Sequence, residues 1–415
     1  MTDSPALIGA ARRDIPRLAE LWGHAFPGER TIEQRVRLLE AGGVYGGIED
    51  AWYLTRQDRL AGALRLYSLT QYLHGTPLRM MGVAAVAVAT DARRQGIAAE
   101  MCRQALQLGR ARGDVVSVLY PFRPEFYHRL GWGLVGSLES FRFRPQALPA
   151  GNPPARVRLA DASARNAVEQ CYARVATASH GLIQRSARIW DQHLAGGERH
   201  LFVLPAEDRI AGYLLVSYGR NARPAARALI ARELVAEDDV AYRELLGWIA
   251  LQSDQWPLVR YDALPEEHFD LLLSEPRPPR FRPARTLWAP VAQRIRGPML
   301  RILDVPAALQ ARAAWPQATS FSGTLRVLDP ELPANEGPWQ VRFDGARVSC
   351  VPAAPAATVD LEIPAAEFAV LYAGELGATE AVRLGRASGS ADAGRLAALD
   401  ALFRAPRTLR LLDEF

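Results

Sequence analysis

The sequence predicts α/β and α+β folding in three domains, and three observations carry that expectation. Its 415 residues exceed one ordinary domain of about 150. The order helix, hairpin, strand, helix occurs twice, and the pentapeptide Asp58-Arg59-Leu60-Ala61-Gly62 returns as Asp208-Arg209-Ile210-Ala211-Gly212, which marks a duplicated unit. From about Val291 the pattern changes to β-branched and aromatic strands followed by helices, an α+β order and not a third copy. The expected boundaries are 1–147, 148–290 and 291–415. Proline-rich Pro145–Pro154 is read as the first linker, and turn-rich Pro276–Pro290 closes the second domain.

In the first segment Ile15, Leu18, Leu21, Trp22 and Phe26 recur at three and four, which predicts a helix that Asp14 is placed to cap. Strands are expected at Ala51–Thr55 and Arg59–Leu69, split by the turn Gln57-Asp58. Met81–Ala89 is apolar throughout, as a buried central strand requires, and leads into a helix with Ile97, Met101, Ala105 and Leu108 on one face. A strand at Val115–Leu119, a short helix at Pro124–Leu130 and a strand at Leu134–Phe143 follow. The second segment repeats the order: helices at Ala160–Ala176 and Arg188–Leu194, a hairpin over His200–Gly219, a strand at Ala228–Val235 and a helix at Tyr242–Leu251. In the third, strands are expected at Thr324–Leu328, Trp339–Phe343 and Thr358–Ile363, with helices at Pro364–Tyr372 and Ala391–Phe403.

Composition removes several classes of function. Hydrophobic residues make up 49% and charged residues 23%, which is globular. No run of about 18 apolar residues occurs, so no membrane span is expected. The N-terminus lacks the basic-then-apolar layout of a secretory signal. Cys102, Cys171 and Cys350 are odd in number and far apart, and the seven histidines show no metal spacing. Neither a disulfide framework nor a metal site is expected, and the reading is a reduced, cytoplasmic protein. The net charge of +5 is small, and all 50 basic residues are dispersed arginines, which argues against nucleic acid as a partner.

Chemistry is concentrated where the buried strand breaks. After Val86 and Val88 the chain reads Asp91-Ala92-Arg93-Arg94-Gln95-Gly96-Ile97-Ala98: a loop of arginine and glycine that opens a helix. Unpaired amides at a helix start carry partial positive charge, which suits a pyrophosphate. Gly96 and Ala98 keep the backbone approachable, and Arg93 and Arg94 add charge-assisted bonds. Without an anion, those arginines would oppose the helix dipole. The duplicate acts as an internal control. Its loop is Ala236-Glu237-Asp238-Asp239, with no glycine and three acids that repel phosphate, so the second copy is expected to be structural or pocket-forming.

The R-x-x-G-x-A pattern of Arg93, Gly96 and Ala98 after an apolar strand resembles the acyl-CoA pyrophosphate loop of the GNAT acetyltransferases. Together with Pro124–Gly133, Met299–Leu309 and Asn335-x-Gly337-x-Trp339, and a phenylalanine at the end, it resembles the Eis (enhanced intracellular survival) family over the whole length. That resemblance implies tandem GNAT-type domains, the second degenerate, and a C-terminal sterol-carrier-protein-like domain. It implies acetyl-CoA as co-substrate, no metal, and self-association as a homohexamer. By the same resemblance, strand groups at Val86 and Val88 hold the pantetheine arm, Tyr127 is the general acid toward the leaving thiolate, and the Phe415 carboxylate is the base. A phenol with pKa near about 10 suits the first role, and an α-carboxylate near about 3.5 is an available but weak base.

On residue types alone, Tyr127 is equally a core aromatic against Phe126 and Trp132, and the bland alternative for Phe415 is a frayed end. Leu409, Leu411 and Leu412 are apolar enough for a docked terminal strand. Asp413 and Glu414 beside the terminus, with Glu29, Glu33, Glu49 and Asp50 as further acids, fit a cationic amine acceptor of aminoglycoside or polyamine type. The expected reaction is direct transfer in a ternary complex. A protein lysine as acceptor, and a CoA- or lipid-binding protein without transferase activity, remain as alternatives.

Overall fold

Apolar alternation builds the first sheet. Strand β1 (Ile8–Gly9) is followed by helices α1 (Ile15–Ala25) and α2 (Ile32–Ala41), then by β2 (Ala51–Arg56), β3 (Arg59–Leu73) and β4 (Thr76–Val88). The computed structural model describes residues 6–149, 156–194, 198–219, 227–279, 288–312, 320–345, 347–354 and 356–415. Parts of Pro145–Pro154 and of Pro276–Pro290 lie outside them. Helix α1 turns Ile15, Leu18 and Trp22 inward, but Asp14 does not cap it. Its carboxylate accepts from the Ala11 amide and from Arg17 instead. Helix α2 was not expected, although Ile32, Val36 and Leu39 recur at four and three and the Thr31 hydroxyl accepts from the Gln34 amide at 3.2 Å in a capping box. Strands β3 and β4 are longer than their apolar runs, joined by His74-Gly75, both left-handed, in a tight two-residue hairpin turn.

Helix α3 (Ile97–Ala111) then leads to β5 (Val116–Leu119), which pairs in parallel with β4, and to α4 (Pro124–His128) and β6 (Gly133–Leu134). The strand expected at Leu134–Phe143 is in fact two. Gly136 takes φ 69°, and the chain leaves one sheet at β6 and enters another at β7 (Ser137–Phe143). Gly136-Ser137 is a turn signal, but apolar and polar residues alternate on either side of it, which reads as one strand carrying a glycine.

The second unit comprises residues 136–297 and 407–412. Its elements are β7, β8 (Arg158–Leu159), α5 (Arg165–Thr177), α6 (Ala187–Leu194), β9 (Arg199–Ala206), β10 (Arg209–Gly219), β11 (Ala228–Ala236), α7 (Asp239–Ala250), β12 (Leu258–Ala263), α8 (Phe269–Leu272) and β13 (Gln293–Arg296). The strands run β13-β7-β12-β11-β10-β9-β8, with β11 and β12 parallel as β4 and β5 are. Leu214, Leu229, Leu245, Tyr261 and Phe269 form part of its core. Within it lies an ionic cluster. Arg185 grips Glu233 with two bonds of 2.9 and 2.8 Å, His193 approaches the same carboxylate at 2.7 Å, and Tyr213 donates to it. Burial pushes the Glu233 carboxyl up, but Arg185 and His193 outweigh it and hold it well below the usual range. Glu233→Ala is expected to lower unfolding stability by about 3–5 kcal/mol, since it strands a buried guanidinium; urea denaturation measures it. Because the folded value is the lower one, this stability is lost as pH falls below the unfolded value of about 4.3.

The first unit comprises residues up to Val135 with 298–406 and 413–415. Strand β14 (Met299–Ile302) enters the first sheet between β5 and β6, giving the order β1-β2-β3-β4-β5-β14-β6. Helix α9 (Val305–Ala311) follows, then β15 (Phe321–Leu328), β16 (Trp339–Phe343), β17 (Val348–Pro352) and β18 (Leu361–Pro364), a separate sheet in the order β17-β16-β15-β18. Helices α10 (Ala365–Tyr372), α11 (Ala378–Arg383) and α12 (Ala393–Phe403) close the α+β part. Arg301 on β14 meets Asp329 at 2.5 Å, both about fully buried, while Asn335 accepts from Arg110 at 2.7 Å. The terminal residues 404–415 carry no strand ladder. Leu409 is buried, but Leu411 and Leu412 are only half-buried, so the expected terminal strand is an irregular extended segment. No helix among the described residues is long and apolar enough to cross a membrane.

Candidate active site

The site is built on the parting of two parallel strands. β4 and β5 pair only through Met80–Gly82, and β4 runs on to Val88 beyond the last paired residue. Such a parting leaves backbone donors and acceptors of β4 available to a ligand. A bulge lies in the same stretch: the β3–β4 register shifts between Ala63 and Arg65, and Ala85 adopts φ 50°. Its carbonyl accepts from the Trp22 indole at 2.7 Å, which holds a conformation that a residue with a Cβ otherwise avoids. Val86 and Val88 are half-buried and pack on the core below. No sequence signal marked this bulge, because alanine is not a bulge residue by composition.

At the far end of β4 the chain turns into α3 through two left-handed residues, Arg94 at φ 61° and Gly96 at φ 79°. No side chain caps α3. A methyl at Gly96 would meet nothing within 4 Å, although its φ would strain any other residue. Arg93 and Arg94 are exposed, Ala98 is half-buried, and neither arginine is in an ion pair among the described residues. The equivalent helix of the duplicate differs: Asp238 caps α7 by accepting from Ala241 N at 2.8 Å, with Asp239 in its first turn. One helix start is left open to an anion and the other is closed by carboxylates, so an acyl-CoA pyrophosphate fits the first.

Tyr127, on α4, is 3% exposed and shares a core cluster with Ile97, Met101 and Trp132. Phe126 and Trp132 meet its ring edge-on at 4.9 and 6.1 Å. Burial, then the nearby Cys102, raises its phenol above the ordinary value, so it stays protonated. The last residues converge on the parting. The Phe415 ring lies against Gly82, where a methyl would come within 2.9 Å of it. Tyr45, Tyr67 and Tyr120 surround it with ring centroids at 5.7, 6.3 and 6.1 Å. Tyr120 OH donates to the Asp413 carbonyl at 3.3 Å.

Of the acids, Asp413 is buried and Glu414 exposed. Glu29, Glu33 and Glu49 are exposed. Asp50 is half-buried, accepts from Gly47 N at 2.9 Å, and has its carboxyl raised by burial. Gly46 lies between it and Tyr67, close enough that a methyl there would be 3.0 Å from the tyrosine ring. Tyr45, Tyr67, Tyr120 and Gly82 belong to this constellation, and nothing in the sequence singled them out. The three cysteines are buried, and no group of His, Cys, Asp or Glu suited to a metal occurs among the described residues.

Two families described as acetyltransferase (GNAT) domain match residues 8–135 and 181–302, and a sterol carrier protein domain family matches 305–409. N-acetyltransferase Eis of Mycobacterium tuberculosis is 29% identical over 296 residues, 68% of each chain. An uncharacterized N-acetyltransferase of Streptomyces griseus is 29% identical over 360 residues, 80% of this chain and 81% of that one. Among solved structures, a GCN5-related N-acetyltransferase from Anabaena variabilis superposes with a TM-score of 0.81 at 21% identity, covering 99% of this chain and all of that one. Eis1 from Mycobacterium abscessus gives 0.80 at 21%, covering both fully; these two likenesses show the shared fold.

Proposed function

Because the chain is an Eis-like N-acetyltransferase with two GNAT domains and a C-terminal sterol carrier protein domain, we propose that its first GNAT domain moves the acetyl group of acetyl-CoA directly onto an amine of a cationic small molecule. The observation that carries this reading is the placement of Phe415 on Gly82, where β4 and β5 part. In the reaction the amine nitrogen attacks the thioester carbonyl, the C–N bond forms and the C–S bond breaks. The amine's proton goes to the Phe415 carboxylate, and Tyr127 gives its phenolic proton to the leaving thiolate. Val86 and Val88 hold the pantetheine arm, and the loop from Arg93 to Ala98 holds the pyrophosphate. Glu414 and Asp413 make the field that favours a cation, with Glu414 at the surface.

Release of CoA thiol from acetyl-CoA, measured across aminoglycosides, polyamines and lysine-containing peptides, tests the reading. Turnover with one class of small amine supports it. Turnover with peptides alone replaces the acceptor, and acetyl-CoA binding without turnover leaves a binding protein. Replacing Arg93 and Arg94 together by alanine is expected to raise the KM for acetyl-CoA about tenfold, the worth of about 1.4 kcal/mol of lost phosphate contact, with kcat within about twofold. Cytoplasmic location and a homohexamer belong to the same proposal. Light scattering reads the second as six chains of 45.6 kDa.

A further inference from the structure

Helix α10 is apolar and buried, and Glu367, 6% exposed, is its single charged residue. A carboxylate in such a place costs stability unless it is paired. Among the described residues two side chains reach it, and both use one oxygen, Oε1: Arg386 Nη1 at 2.5 Å and His128 Nε2 at 3.0 Å. A carboxylate oxygen only accepts, so the imidazole donates from Nε2. Both partners are half-exposed, so water serves them without Glu367. His128 belongs to α4 and follows Tyr127 directly in the chain.

Helix α4 has five residues, far short of the about 12 at which a helix begins to hold by itself. Its place is therefore set by what it touches. At its end the Tyr127 carbonyl accepts the Leu130 and Trp132 amides at 3.0 and 3.1 Å, and the Leu130 carbonyl accepts from Arg301 Nε at 3.2 Å. Strand β6 then lies against α10: a methyl on Gly133 would collide with the Ala366 carbonyl and come within 2.7 Å of Val370. These contacts hold the C-terminal end of α4, and the His128–Glu367 bond holds its flank. Neighbouring side chains on a helix point about 100° apart, so a fixed His128 fixes the direction in which Tyr127 leaves the helix. All of these residues lie in the first unit.

We infer that Glu367 is a positioning residue for the transfer: through His128 it braces α4 and so aims the Tyr127 hydroxyl. This rests on the assignment of Tyr127 as the acid. It gives α10, which lies in the stretch matched by the sterol carrier protein family, a task in the chemistry of the first GNAT domain. A misplacement of about 1 Å at a reacting group costs up to about a hundredfold in rate, and part of that loss is expected when α4 is freed on one flank.

Kinetics of the full-length protein, with acetyl-CoA and the amine of highest turnover, test this. Glu367→Ala and His128→Ala are each expected to lower kcat about tenfold with the KM for acetyl-CoA within about twofold. Glu367→Gln keeps the one oxygen that both donors use and is expected to restore kcat. His128→Ala changes a half-exposed side chain, so the result does not hang on whether Glu367→Ala folds. In a Tyr127→Phe background His128→Ala is expected to cost less than about twofold, because the hydroxyl it aims is gone. A second readout does not depend on catalysis: amide hydrogen exchange over residues 124–133 is expected to be at least about fivefold faster in His128→Ala and Glu367→Ala than in wild type, with α1 unchanged. Exchange at the wild-type rate in both variants overturns the brace. Faster exchange with kcat intact, where Tyr127→Phe is slow, overturns the positioning role, as does a full tenfold loss from His128→Ala in the Tyr127→Phe background. If Tyr127→Phe itself keeps wild-type kcat, the acid assignment fails, and the exchange rates alone then decide the brace.

Discussion

Removing Phe415 alone is expected to lower kcat at least about a hundredfold while leaving acetyl-CoA binding within about twofold. General-base transfer contributes about 10²–10⁴ in rate, and the deletion moves the only proposed acceptor of the proton. The new carboxylate at Glu414 lies one residue back, about 3.8 Å along the chain, and without the ring that Gly82, Tyr45, Tyr67 and Tyr120 enclose. Two companion variants separate ring from carboxylate. Adding one glycine after Phe415 keeps the ring but displaces the charge, and is expected to be nearly as damaging as the deletion. Phe415→Ala keeps the charge but removes the packing, so a smaller loss of about tenfold is expected. If the glycine extension retains full kcat, the carboxylate is not the base. Binding is measured separately by titrating acetyl-CoA, because Arg93, Arg94 and Gly96 take no part in holding the terminus.

Much of this arrangement was legible in the sequence because its elements are local. The apolar run to Val88, the arginine-glycine loop and the period of Ile97, Met101 and Ala105 lie within one stretch of chain, so spacing alone marked a strand, a glycine turn and a helix start there. The acidic loop at Asp238 was legible for the same reason, and its carboxylate does cap α7. What stayed hidden depends on partners distant in sequence. Met299–Ile302 reads as a short apolar run, and only pairing with Val116–Leu119 and Gly133-Leu134 makes it a strand of the first sheet. The left-handed residues Ala85 and Gly136 each redirect a strand, yet a single φ leaves no periodic trace. The tail's apolar residues suggested a strand, but their backbone partners are scattered groups such as the Glu266 carboxylate and the His180 carbonyl, not the ladder of a neighbour. Aromatic identity placed Tyr127 in the core, and the structure puts it there, 3% exposed. Burial and catalysis are compatible here, since a buried phenol keeps its proton.

Replacing Tyr127 by phenylalanine is expected to lower kcat by about 10²–10³, with little change in the KM for either substrate. The substitution keeps the ring that packs on Phe126 and Trp132 and takes away only the hydroxyl, so a stability change below about 1.5 kcal/mol is expected. The proton on the phenol matters once the C–S bond breaks, which places the loss in the transition state and thus in kcat. The pH profile provides a stricter check. Burial raises the Tyr127 pKa, so the acid remains protonated throughout the range in which the protein is assayed. Wild type should therefore show no alkaline fall in kcat from this group below about pH 10, its ordinary value. An acyl donor whose leaving thiol is already a good leaving group, such as an aryl thioester, needs less help from an acid. With that donor the Tyr127→Phe deficit is expected to shrink toward unity, whereas a purely structural role would leave the deficit the same for both donors.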